Sequence, residues 1–120
     1  VMAKEYKELT DSIGQELLIP IEYQDIENLT YPDEFFDIVH CVNTLDHTRN
    51  IKKAIEEMKR VCKKGGWVYL RHAKDQRKQL RGEHYWDATT EGFSNGRELI
   101  KLDGFQTYSD GFMIIHILDK

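Results

Sequence analysis

At 120 residues with 40% hydrophobic content, the chain has material for one core and no second domain. A net charge of −4 and a pI near 5.7 argue against a large nucleic-acid footprint. No apolar run is long enough to span a bilayer and no signal peptide is recognisable, so a cytoplasmic protein without membrane partners is expected.

Met2, Tyr6, Leu9 and Ile13 recur at helical spacing, and Gly14 stops the helix they predict. A chain that opens inside an uncapped helix is expected to continue a longer one. Ile19, Ile21 and Tyr23 alternate as a half-buried strand. Pro20 cannot donate to a ladder, which favours an edge position for that strand. Asp25 to Asp33 is a polar loop with Tyr31-Pro32 towards its end.

Phe36, Ile38, Val39, Cys41 and Val42 form a short apolar run of strand-forming types. Ile51, Ala54, Ile55, Met58, Val61 and Cys62 then recur at helical spacing, with Lys, Arg or Glu between them, which predicts an amphipathic helix. Gly65 and Gly66 are expected to end it, and Trp67 to Leu70 to restart a strand. Two buried strands joined by one helix make a βαβ unit, with parallel pairing and a right-handed crossover. Lys59, Arg60, Lys63 and Lys64 gather where they complement the helix macrodipole. Cys41 and Cys62 sit in apolar stripes and read as reduced core residues, a disulfide being the alternative.

Beyond Leu70 the pattern weakens. Arg71 to Arg81, rich in Lys and Arg, reads as a solvated loop or frayed helix. A short helix capped by Ser94 and running through Leu102 is favoured over a hairpin turning at Asn95-Gly96. Phe105 to Tyr108 and Phe112 to Leu118, joined by Asp110-Gly111, predict a closing hairpin.

Ser12, Ser94 and Ser109 lie in no nucleophile elbow. The histidines at 40, 47, 72, 84 and 116 show no metal-ligand spacing, so no metal site is expected. Cys41 to His47 covers the carboxyl end of the first buried strand, the edge at which open parallel sheets bind ligands. His47 stands there as the candidate base, with orientation of the loop as its plainer role. His84, Tyr85 and Trp86 form an aromatic cluster, read as core or lid packing ahead of an acceptor pocket.

In order, FFDIVHCVNTLDH, AIEEMKRV and KKGGWVYL resemble the second half of a class I S-adenosylmethionine-dependent methyltransferase of the type 11 kind. The shared pattern is an acidic turn, F-D-x-V, a loop with a histidine, E-M-x-R-V on a helix, and a glycine pair opening a strand. The likeness runs from about Glu5 to His72. The family's glycine-rich loop and the acid that holds the ribose have no counterpart here.

The resemblance implies an α/β fold: an incomplete Rossmann-like sheet, mostly parallel, closing in an antiparallel hairpin and lacking the first two family strands. Residues 1–120 would form a single partial methyltransferase domain. It also implies S-adenosylmethionine as cofactor. Asp25 would accept from the adenine amino group and Ile26 would pack on the ring. The Cys41 backbone and the Asn43 side chain would face the methionine part, and Asp46 and His47 the acceptor, as the candidate catalytic pair. Loop-turn and capping chemistry is the competing reading for Asp25, Asn43 and Asp46.

The function expected is therefore that of the carboxyl-terminal part of a methyltransferase acting on a small molecule, with weak or absent cofactor binding by this stretch alone. The alternative is a non-catalytic truncated module that binds no cofactor and self-associates through exposed sheet edges. Homo-oligomers are expected, because missing strands leave backbone edges unpaired.

Overall fold

The computed structural model describes residues 21–78 and 84–120. The expected helix from Met2 to Ile13 and the first part of the Ile19–Tyr23 strand lie outside the described residues. Within them, residues 21–24 carry no strand.

Strand β1 spans Phe36–Val42, helix α1 Ile51–Val61 and strand β2 Cys62–Ala73. β1 and β2 are parallel, paired Ile38 with Trp67, Val39 with Val68, His40 with Tyr69 and Cys41 with Leu70. The predicted strand–helix–strand unit is thus present. Asn50 caps α1, its side chain accepting from the Lys53 amide at 3.2 Å. The apolar stripe Ile51, Ala54, Ile55, Met58 and Val61 is buried, as its spacing requires.

The helix ends earlier than the glycine pair suggests. Cys62 is already extended, with φ −84° and ψ 132°, and it pairs with Phe36. Between the Phe36–Cys62 and Ile38–Trp67 pairs, β2 advances five positions while β1 advances two. The surplus bulges out at residues 63–66. Gly66 is needed there for close approach, since a Cβ would sit 2.3 Å from the Asp37 carbonyl oxygen.

β6 (Gln106–Ser109) and β7 (Met113–Asp119) form the expected closing hairpin. Asp110 Oδ1 accepts from the amides of Phe112 and Met113 across its turn. β7 pairs antiparallel with β2, giving a four-stranded sheet in the order β1-β2-β7-β6. Its helix-facing side carries Val68, Leu70 and Ile114, which join Leu45, Ile51, Met58, Trp86 and Phe93 in one core. The other side leaves Ile38, Trp67 and Tyr108 more than half exposed. β1 lies at the sheet edge among the described residues.

The favoured helix from Ser94 to Leu102 is not formed. β3 (Asp87–Ala88), β4 (Gly92–Ser94) and β5 (Leu99–Lys101) make a second, three-stranded antiparallel sheet. Asn95 Oδ1 accepts from the amides of Arg97 and Glu98, and Gly96 has φ +88°, so Asn-Gly turn chemistry decided the segment. The Ser94 hydroxyl accepts from the Gly96 amide within that turn instead of capping a helix. Arg71 to Ala73 extend β2, and Gln76–Lys78 form a 3-10 turn, where loop or frayed helix was expected.

Candidate functional site at the carboxyl end of β1

Asn43, at φ +50°, turns the chain out of β1. Its amide continues the ladder to the Arg71 carbonyl at 3.0 Å, and its Oδ1 accepts from the Ala73 amide at 3.0 Å. The 3-10 turn Leu45–His47 follows. Beneath it, His72 Nε2 accepts from the amides of Leu45 at 3.1 Å and Thr44 at 3.3 Å. That geometry fixes the neutral tautomer with the proton on Nδ1. Burial pushes the His72 pKa down to about 4, so at neutral pH the ring serves the loop as an uncharged acceptor.

Asp46, only 2% exposed, is directed at a segment far along the sequence. Its Oδ2 lies 2.5 Å from His84 Nδ1 and 3.7 Å from His47 Nε2. The two imidazole rings are 4.3 Å apart, centroid to centroid. The Asp46 carbonyl accepts from the amides of Tyr85 at 2.7 Å and Trp86 at 3.2 Å, and the Trp86 indole donates to the Thr48 carbonyl at 2.9 Å. Residues 44–48 and 84–86 are therefore locked together by backbone, indole and carboxylate. One ligand-type atom from each of Asp46, His47 and His84 lies within 4.8 Å of the other two.

Along β1 and the start of the turn after it lies a cleft of about 310 Å³ lined by Ile26, Leu29, Val39, Cys41, Thr44 and Met58, among others. It is largely apolar. Burial raises the Cys41 thiol to about 11, so it lines the cleft as an apolar group and not as a nucleophile. Both cysteines are free and buried. The cleft wall is held by Arg60, which donates to Glu57 Oε1 and Oε2, the carbonyls of Leu29 and Tyr31, and Asp33 Oδ1. Glu57 in turn accepts from the Leu29 amide at 2.8 Å. The Arg60 hydrogen bonds are the largest cause of the low Glu57 pKa, about 2.

Of the residues singled out in the sequence, Ile26 and Cys41 both line the cleft, and Asp46 and His47 meet on the turn that follows β1. Asp25 Oδ1 accepts from the Glu27 amide at 2.9 Å, and its carbonyl from the Asn28 amide, closing a tight turn. Asn43 spends its carbonyl oxygen on β2. His84 reads from the sequence as packing because nothing local marks it; its partner Asp46 is 38 positions away. Arg60, read as a macrodipole charge, is a clamp across the loop that carries Leu29 and Tyr31. The cleft offers apolar walls, and the sequence contains no G-x-G.

Residues 2–70, more than half the chain, match the family described as a methyltransferase domain. The uncharacterized methyltransferase YcgJ of Bacillus subtilis is 35% identical over 70 residues, covering 56% of this chain and 28% of YcgJ. The uncharacterized protein MJ1123 of Methanocaldococcus jannaschii is 31% identical over 103 residues, 78% of this chain and 50% of its own length. A crystal structure of a SAM-dependent methyltransferase from Aquifex aeolicus shares the fold with a TM-score of 0.60 at 15% identity, over 97% of this chain and 62% of that one. This chain spans half or less of the length of those two curated relatives. By its matched residues and its fold, the chain belongs to the class I S-adenosylmethionine-dependent methyltransferases.

Proposed function

We propose that the chain is the carboxyl-terminal, acceptor-side part of a cytoplasmic enzyme that methylates a small molecule with S-adenosylmethionine. The observation that carries this reading is the juxtaposition at one strand end: an apolar cleft at Ile26 and Cys41, and a buried carboxylate with two imidazoles at Asp46, His47 and His84. S-adenosylmethionine, when bound, supplies an activated methyl on a sulfonium, so the protein's task is positioning and exclusion of water. Ile26, Leu29 and Met58 would bury the flat ring of the cofactor. Asp46 orients His84, and either His84 or the more exposed His47 would take the acceptor's proton.

The division of labour predicts that the 120-residue chain alone binds S-adenosylmethionine weakly or not at all, because the loop that would hold the methionine end is not part of it. In the longer parent, Ile26→Asp should weaken the cofactor at least tenfold. Isothermal titration decides both points. Micromolar binding by the 120-residue chain, or an unchanged affinity in Ile26→Asp, overturns the proposed arrangement.

A second reading is supported by one observation, the β1 edge that has no neighbouring strand among the described residues beside an exposed Ile38. On that reading the chain is a non-catalytic module that pairs with a second copy and binds no cofactor.

A further inference from the structure

We propose that Asp46, His47 and His84 form a binding site for one divalent transition-metal ion of the zinc type. The inference stands on these three side chains and is independent of the methyltransferase reading.

A carboxylate oxygen and two imidazole nitrogens are the donor set zinc takes in open three-ligand sites, with a fourth position left for water or a ligand. The atoms converge from both sides of the site: Asp46 and His47 on the 3-10 turn after β1, and His84 just before β3. Asp46 is 2% exposed, and its Oδ1 is a buried oxygen with no hydrogen-bond partner among the described residues. A buried carboxylate demands a compensating positive charge, and a dication supplies it.

The spacing fits with small adjustments. Ligands about 2.0–2.1 Å from a tetrahedral zinc lie roughly 3.3 Å from one another. The Asp46 to His47 separation of 3.7 Å needs only slight contraction. The Asp46 to His84 pair, at 2.5 Å, would open by a little under an ångström as the metal replaces the hydrogen bond between them. The amides of Tyr85 and Trp86, both bound to the Asp46 carbonyl, hold the two segments in place for it. The His47 side chain, 43% exposed, leaves the site open to an entering ion.

The test is titration of the protein with zinc chloride by calorimetry and with cobalt(II) chloride by visible absorption, with circular dichroism to establish that each variant is folded. The expected result is one ion per chain, the visible bands of four- or five-coordinate cobalt, and a zinc-dependent rise in melting temperature. His84→Ala and His47→Ala should each weaken binding at least tenfold, while His40→Ala, at an exposed histidine outside the cluster, should not. Should His84→Ala fail to fold, His47→Ala decides, since its side chain is partly exposed. Substoichiometric binding, or affinity unchanged in His47→Ala, overturns the proposal.

Discussion

His72 and Leu45 are joined by a hydrogen bond that exists only while the histidine is neutral: the Leu45 amide donates to His72 Nε2 at 3.1 Å. A ring on β2 thereby sets the conformation of the loop that presents Asp46 and His47, and the bond ties the site to pH.

In the unfolded chain His72 titrates near 6.5, in the folded protein near 4. Between those values the unfolded chain binds more protons, so stability is lost as pH falls from about 6.5 to about 4. The expected loss is on the order of 3 kcal/mol. His116, whose pKa is also lowered by burial, acts in the same direction. Urea midpoints at pH 7.5, 5.5 and 4.5 should fall steadily in the wild type and less in His72→Gln. Equal slopes for the two proteins would remove His72 as the cause.

Arg60→Lys should destabilise the chain more than Lys59→Ala does, although it keeps the charge. A planar guanidinium serves five acceptors here, and an ammonium cannot span them. The clearest readout is hydrogen exchange at the Leu29 amide, which should quicken about tenfold as the loop loosens from α1. The same clamp keeps Glu57 ionised to about pH 2, so its contribution is present above the ordinary carboxylate range and lost only as pH falls towards 2.

The two neighbouring glycines should respond differently to alanine. Gly66→Ala drives a Cβ to 2.3 Å from the Asp37 oxygen and should cost on the order of 2–3 kcal/mol by disturbing the β1–β2 pairing. Gly65 has open space but φ +79°, so alanine there should cost only about 1–2 kcal/mol. Thermal melts of both variants test the order, and a Gly65→Ala defect as large as that of Gly66→Ala would contradict it.

Self-association is expected at micromolar concentration through the β1 edge and the open sheet face. Ile38 and Trp67 are register partners there, 61% and 54% exposed. Sedimentation equilibrium should find dimers, and Ile38→Lys should shift them to monomers. A wild-type monomer at high micromolar concentration would end the idea.

The strand–helix–strand block was legible because each of its elements writes its own period into a few consecutive residues. What the period could not supply was the join. Cys62 belongs to the helical stripe by spacing, yet its pairing with Phe36 made it strand, so the glycines mark a bulge and not a helix end. Ser94-Asn95-Gly96 holds both a helix cap and a hairpin turn; the turn chemistry of Asn95 and Gly96 prevailed and set Phe93 opposite Ile100. The site was half legible. Asp46 and His47 follow a strand end, but His84 meets Asp46 through tertiary structure alone, and Arg60 shows its five acceptors only once the loop from Leu29 to Asp33 is folded against α1.

Because α1 passes into β2 without a loop, tolerance to change in chain length is concentrated in the excursion at residues 63–66. There, a residue gained or lost alters the size of a bulge. After Trp67 the same change would invert the rest of the strand, turning Leu70 and His72 out of the core and Tyr69 and Arg71 into it. The loop at Thr44 and Leu45 would lose its acceptor at the same stroke, so a single deletion in β2 would dismantle both the core and the site.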